Sequence, residues 1–157
     1  GKNVELVIEA FIELYKRGFK AQITFYGGSE ERLEELRNRY DLPPTIHFKG
    51  IVDEVPYHLH QCYLSASFTE LFANACVEAL NQGLLALLSD VEIAHRFYAG
   101  QSDAIRLFRN KAQLIQMIEE MEQADYRQSN AENIALAAHY SLGTVVQSYR
   151  ELLDRKF

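Results

Sequence analysis

Two acidic residues, Glu70 and Glu78, stand where an apolar run gives way to a run of helical pattern, in Glu70-Leu71-Phe72-Ala73-Asn74-Ala75-Cys76-Val77-Glu78. Cys62 to Phe68 alternates weakly and reads as a short strand, whereas Phe72, Cys76, Ala79 and Leu80 recur at helical spacing. A strand therefore runs into a helix through Thr69-Glu70. In an open α/β sheet such junctions gather at the carboxyl ends of the strands, where ligands bind, and a helix N-terminus there presents unpaired N–H groups to an anion. Glu70 is expected at that mouth, with Glu78 about two turns further along the helix. A carboxylate accepts through two oxygens and so suits paired sugar hydroxyls, while the helix terminus suits phosphate. The two acids fit a ligand that carries both. Glutamates on the solvated face of a surface helix are the plainer reading of the same spacing.

The flanking elements alternate in type. Val4, Val7, Ile8, Phe11, Leu14 and Tyr15 make one apolar stripe in a helix that runs from Val4 to its stop signal at Gly18. Ala21 to Tyr26 reads as a strand, Gly27-Gly28 as a turn, and Ser29 as the start of a charged helix reaching Tyr40. Leu42-Pro43-Pro44 ends it. Thr45 to Lys49 is a further strand, and Asp53 to Gln61 a short helix with Pro56 in its first turn, where proline is tolerated. Leu84 to Leu88 is wholly apolar, as befits a parallel strand covered on both faces. Ala104 to Phe108 is a short strand, and Lys111 to Met121 places Leu114, Ile115, Ile118 and Met121 on one helical face. Helices over Ala131 to Tyr140 and Leu142 to Leu153 complete the pattern, with Ser141 as N-cap of the last. Strands alternating with helices imply right-handed βαβ units, hence an α/β fold with a doubly wound parallel sheet. No repeat or linker interrupts the pattern, so residues 1–157 are expected to form a single domain.

Composition narrows the function. A chain of 157 residues can bury a genuine core, and no apolar stretch approaches the roughly 18 residues of a membrane span. A soluble, cytoplasmic protein is expected; without a leader or an initiator methionine, the chain reads as part of a longer one. A net charge of −6 with no basic cluster argues against a nucleic-acid partner. Cys62 and Cys76 lack metal or redox spacing and read as small buried hydrophobes in a reducing compartment. His58 and His60 would point to different faces of a helix, and no neighbouring ligand completes a site, so no metal is expected.

Five segments in order carry a resemblance to one family. They are Lys2-Asn3-Val4-Glu5-Leu6-Val7-Ile8-Glu9-Ala10-Phe11, then Phe25-Tyr26-Gly27-Gly28, Phe48-Lys49-Gly50-Ile51-Val52, the Glu70 to Glu78 segment with its continuation to Ser89, and Ser89-Asp90-Val91-Glu92-Ile93-Ala94-His95-Arg96. The first resembles K-G-x-x-x-L-I-x-A-F, the second a strand with its glycine turn, and the third F-x-G-x-V. The fourth resembles E-x-F-G-x-x-x-x-E followed by A-x-x-x-G-x-P-V-x-x-S, keeping Ala79, Gly83 and Ser89 in register. The last is similar to a variant with S-D-I-P-x-H-R-E. These are motifs of the retaining glycosyltransferases of family 4, which have the GT-B fold of two Rossmann-like domains facing each other across a cleft.

The resemblance implies the C-terminal, donor-binding half of such an enzyme. It implies a Rossmann-like parallel sheet whose first strand, with the arginine loop preceding Lys2, is missing together with the N-terminal acceptor domain. An exposed edge or unfilled slot in the sheet is then expected. By the same resemblance Glu78 holds the ribose hydroxyls, Glu70 approaches the transferred sugar, and Lys2 offsets charge on the leaving diphosphate. Lys2 reads equally as a plain terminal residue. Gly27 and Gly28 either admit the ligand to the backbone or simply make a turn. Ile51 and Val52 match backbone contacts to the base, Phe72 and Ala73 fall in the stretch beside the sugar diphosphate, and Asn74 either reaches the ligand or caps the helix. No cofactor is implied beyond the nucleotide-diphosphate sugar that serves as donor substrate. A membrane surface enters only through the missing domain. The implied reaction is retaining transfer of a sugar to a glycan, lipid or polysaccharide precursor, with the isolated fragment inactive.

Departures from the pattern support a second reading. Ala73 replaces a glycine, Leu85 a proline and Phe97 a glutamate, and the glycine-rich loop after the fifth strand is absent. A degenerate domain acting as a non-catalytic partner or regulatory subunit accommodates these changes. An unrelated flavodoxin-like or epimerase-type domain with surface acids is the third reading.

Overall fold

The computed structural model describes residues 2–68, 74–91, 94, 100, 103, 105–122 and 134–135. These residues contribute to two compact units, one formed by residues 1–56 with 108–124 and the other by 57–107 with 125–157.

The first unit begins with helix α1 (Val4–Lys16), whose stripe buries Val7, Ile8, Ala10, Phe11 and Leu14. Tyr15, expected on that stripe, is 45% exposed, because it lies one residue round the helix from Leu14. Strand β1 (Ile23–Tyr26) pairs in parallel with β2 (Ile46–Gly50), Phe25 opposite Phe48. Those two rings stack with centroids 5.2 Å apart, and the Arg37 guanidinium of helix α2 (Glu30–Arg39) lies 5.7 Å from the centre of Phe48. Ser29 caps α2 as expected, its hydroxyl accepting from the Arg32 N–H. Only Leu33 and Leu36 of α2 are buried; acids fill its first turn and arginines its last, which suits the helix dipole. Helix α4 (Lys111–Met121), capped by Asn110, buries Leu114, Ile115 and Ile118 and packs on α1. Arg17 bonds Glu119 at 3.0 Å across that pair, and Lys111 lies within 3.7 Å of Glu9 and Glu13.

The second unit holds strands β3 (Cys62–Ser65), β4 (Leu85–Ser89) and β5 (Ile105–Phe108), hydrogen-bonded in the order β3-β4-β5, with β3 and β4 parallel. All five residues of β4 are buried, Ser89 among them, and the strand starts one residue later than the apolar run from Leu84 to Leu88. Helix α3 (Asn74–Asn81) turns Cys76, Ala79 and Leu80 inward, where Cys76 and Leu80 join Ala86, Leu88, Ala94 and Ile105 in one cluster. It ends in a Schellman motif: Leu84 N–H bonds Ala79 O and Gly83 N–H bonds Leu80 O, with Gly83 at φ 78° in the left-handed region that glycine occupies without penalty.

Two expectations change. The helix expected over Asp53 to Gln61 reduces to one 3-10 turn, Tyr57–Leu59, because Asp53 and Glu54 are exposed and that segment has no apolar stripe to bury. The strands lie in two sheets, β1-β2 and β3-β4-β5, where a single sheet was expected. The expected helices over 131–140 and 142–153 lie outside the described residues apart from 134 and 135.

Candidate functional site

Helix α3 carries Glu78. The burial of Cys76, Ala79 and Leu80 fixes which face turns inward and leaves Asn74, at its start, and Glu78 exposed. The Glu78 carboxylate is not left loose on that surface. The Tyr57 hydroxyl donates to Glu78 Oε2 at 3.0 Å, and the Ala75 carbonyl oxygen lies farther, at 3.4 Å, from the same hydroxyl. A phenol has one proton to give, and the shorter, charge-assisted bond takes it. Partial burial, then the hydrogen bond to Glu78 and its charge, push the Tyr57 hydroxyl up to about 12, so it is a protonated donor at neutral pH. The 3-10 turn is itself pinned by His60 N–H to Tyr57 O at 2.9 Å.

In the first unit the carboxyl ends of the paired strands meet. Tyr26 aligns with Gly50, and Gly27 N–H bonds Gly50 O just before Ile51 and Val52. Gly27 and Gly28 have φ of 91° and 84°; a Cβ on Gly27 would meet nothing within 4 Å, so backbone conformation, not crowding, selects glycine there. That conformation carries the chain directly into the Ser29 cap of α2. Ile51 is 83% exposed and Val52 is also exposed. Lys2 is exposed immediately before Asn3, which adopts a left-handed conformation at the start of α1.

Gly27, Gly28, Ile51, Val52 and Lys2 thus belong to the first unit, Asn74 and Glu78 to the second. Glu70, Phe72, Ala73 and Phe97 lie outside the described residues. Tyr57 escaped the reading of the sequence, because its partner is 21 residues away and a single tyrosine after a proline leaves no periodic signal. Among the described residues no cluster of three His, Cys, Asp or Glu suits a metal ion. Cys76 is buried as expected; Cys62 is partly so, its thiol pushed up to about 12 by desolvation. No helix among the described residues is long and apolar enough to cross a membrane.

The sequence matches the family described as Glycosyl transferases group 1 over residues 1–123. Curated protein sequences yield no match. Among solved structures, the chain is similar to the pneumococcal O-GlcNAc transferase GtfA in complex with UDP and GlcNAc, at 20% identity and a TM-score of 0.75 over 98% of this chain and 33% of that one. It is similar to Anabaena Alr3699/HepE in complex with UDP-glucose at 18% identity and a TM-score of 0.76, covering 98% of this chain and 45% of that one. TarM matches at 17% identity and a TM-score of 0.74, over 96% of this chain and 32% of its own. The chain therefore spans less than half the length of each, and what it shares with them is the fold: parallel sheets flanked by helices, Rossmann-like, as in a domain of GT-B glycosyltransferases.

Proposed function

The chain belongs to the group 1 glycosyl transferases, and we propose that it is the donor-binding domain of a two-domain enzyme that transfers a sugar from a uridine-diphosphate donor with retention of configuration. The family match over residues 1–123 carries this reading, and the UDP and UDP-glucose held by two structural neighbours support the choice of donor. In this reading the bond from the anomeric carbon to the diphosphate oxygen breaks, and an acceptor hydroxyl takes its place on the same face. Negative charge grows on the departing diphosphate, so a cation there stabilises the transition state; Lys2 is assigned that role. Glu78 receives the ribose hydroxyls, Glu70 approaches the sugar, and Ile51 and Val52 offer backbone to the base. Gly27, Gly28, Phe72, Ala73 and Asn74 line the remainder of the donor site. The acceptor is a glycan, lipid or polysaccharide precursor held by a second domain, and since enclosure by both domains supplies orientation and excludes water, residues 1–157 alone do not transfer sugar.

Calorimetry of the full-length protein with UDP tests the reading. Binding is expected, and Glu78→Ala should weaken it by about tenfold or more, given hydrogen bonds to a charged acceptor of about 1.5–3 kcal/mol each. Glu70→Ala should spare UDP binding and lower sugar transfer sharply. UDP binding that ignores Glu78→Ala overturns the assignment of that residue. The departures at Ala73, Leu85 and Phe97 favour a second reading, a non-catalytic partner subunit. Absence of nucleotide binding and of transfer by the full-length protein would replace the first reading with that one.

A further inference from the structure

We infer that Tyr57 is a positioning residue for the donor: its hydroxyl anchors one oxygen of the Glu78 carboxylate and leaves the other to receive the ribose hydroxyls. The inference rests on the reading that Glu78 binds ribose and assigns to Tyr57 the orientation of that acceptor. An exposed glutamate has three rotatable bonds to fix when it takes a ligand, an ordering cost that opposes binding. A hydrogen bond already made at Oε2 removes part of that freedom beforehand. Among the described residues Tyr57 is the one that bonds this carboxylate, and it does so at 3.0 Å from a separate segment of chain. The ring is partly buried and its turn is closed by the His60 N–H, so the anchor is the more rigid member of the pair. The carboxylate has lone pairs enough for this bond and for two ligand hydroxyls. Tyr57 also remains an O–H donor far above neutral pH, so the tether persists across the range in which an enzyme works.

The test compares UDP with its 2′,3′-dideoxy analogue on the full-length protein carrying Tyr57→Phe, with Glu78→Ala as reference. Tyr57→Phe should weaken UDP binding by about three- to tenfold, the order of the cost of immobilising one flexible side chain, and leave the dideoxy analogue nearly unaffected. A tie that is merely structural would weaken both ligands alike; that result, or no change with either, overturns the inference. Thermal melting of the variant separates a folding defect from a binding one. If Glu78→Ala erases the preference for UDP over the analogue while Tyr57→Phe leaves that preference unchanged, only the role of Tyr57 fails. If Glu78→Ala also leaves that preference intact, the ribose reading fails and this inference with it.

Discussion

Leu80→Ala probes what holds Glu78 in place. Leu80 is completely buried on the inward face of α3, within the cluster of Cys76, Ala86, Leu88, Ala94 and Ile105. The substitution removes three carbons, about 2.4 kcal/mol of transfer free energy at about 0.8 kcal/mol per carbon. A wall that cannot collapse adds a cavity term, so the expected loss is about 3–5 kcal/mol. Against a whole-domain stability of about 5–15 kcal/mol, that is a large share. α3 spans only Asn74–Asn81, and a helix that short does not persist in water without its packing. Glu78 should therefore lose its fixed position even in molecules that stay folded elsewhere. Urea unfolding followed by circular dichroism gives the free energy, and hydrogen exchange at the α3 amides reports local opening. Val77→Ala is the control, since Val77 is only partly buried, and it should cost about 1 kcal/mol or less. A loss below about 1 kcal/mol for Leu80→Ala, with α3 amides still protected, would refute the argument that this face anchors the helix.

Gly83→Ala should destabilise the protein by about 1–2 kcal/mol, the penalty for placing a Cβ in the left-handed conformation that closes α3, and a lowered melting temperature checks it. Tyr57 predicts an alkaline effect. Its folded value, about 12, lies above the usual tyrosine value of about 10, so the folded state holds that proton more tightly, and the resulting stability is complete below about pH 10 and lost as pH rises through about 12. Urea unfolding of wild type and Tyr57→Phe should accordingly converge over that interval; a constant gap would contradict the assigned cause.

Legibility followed burial. Lys111 to Met121 was readable to the residue because its stripe lies against a partner and Asn110 caps it, and Leu84 to Leu88 was readable to within one residue of β4 because a strand covered on both faces is mostly apolar. Asp53 to Gln61 misled because acids followed by proline imitate a helix start, whereas a helix needs an apolar face that this segment lacks. The inward set of α3 announced Cys76, Ala79 and Leu80, and by exclusion the exposure of Glu78. What held Glu78 was invisible: an aromatic hydroxyl reaching across the chain obeys no period.

The pairing of α1 with α4 also governs the order in which the protein can be made. α1 ends at Lys16, and the helix that covers its apolar face ends at Met121. About a hundred residues must be translated between them, which at about 5–20 residues per second leaves Val7, Ile8, Phe11 and Leu14 without their native cover for roughly 5–20 s. During that interval the segment from Tyr57 to Leu107, which lies between the two halves, leaves the ribosome first and can begin to fold. While it waits for that cover, α1 is thus a natural target for holding chaperones, and ribosomes stalled before residue 111 would present it as an adhesive surface.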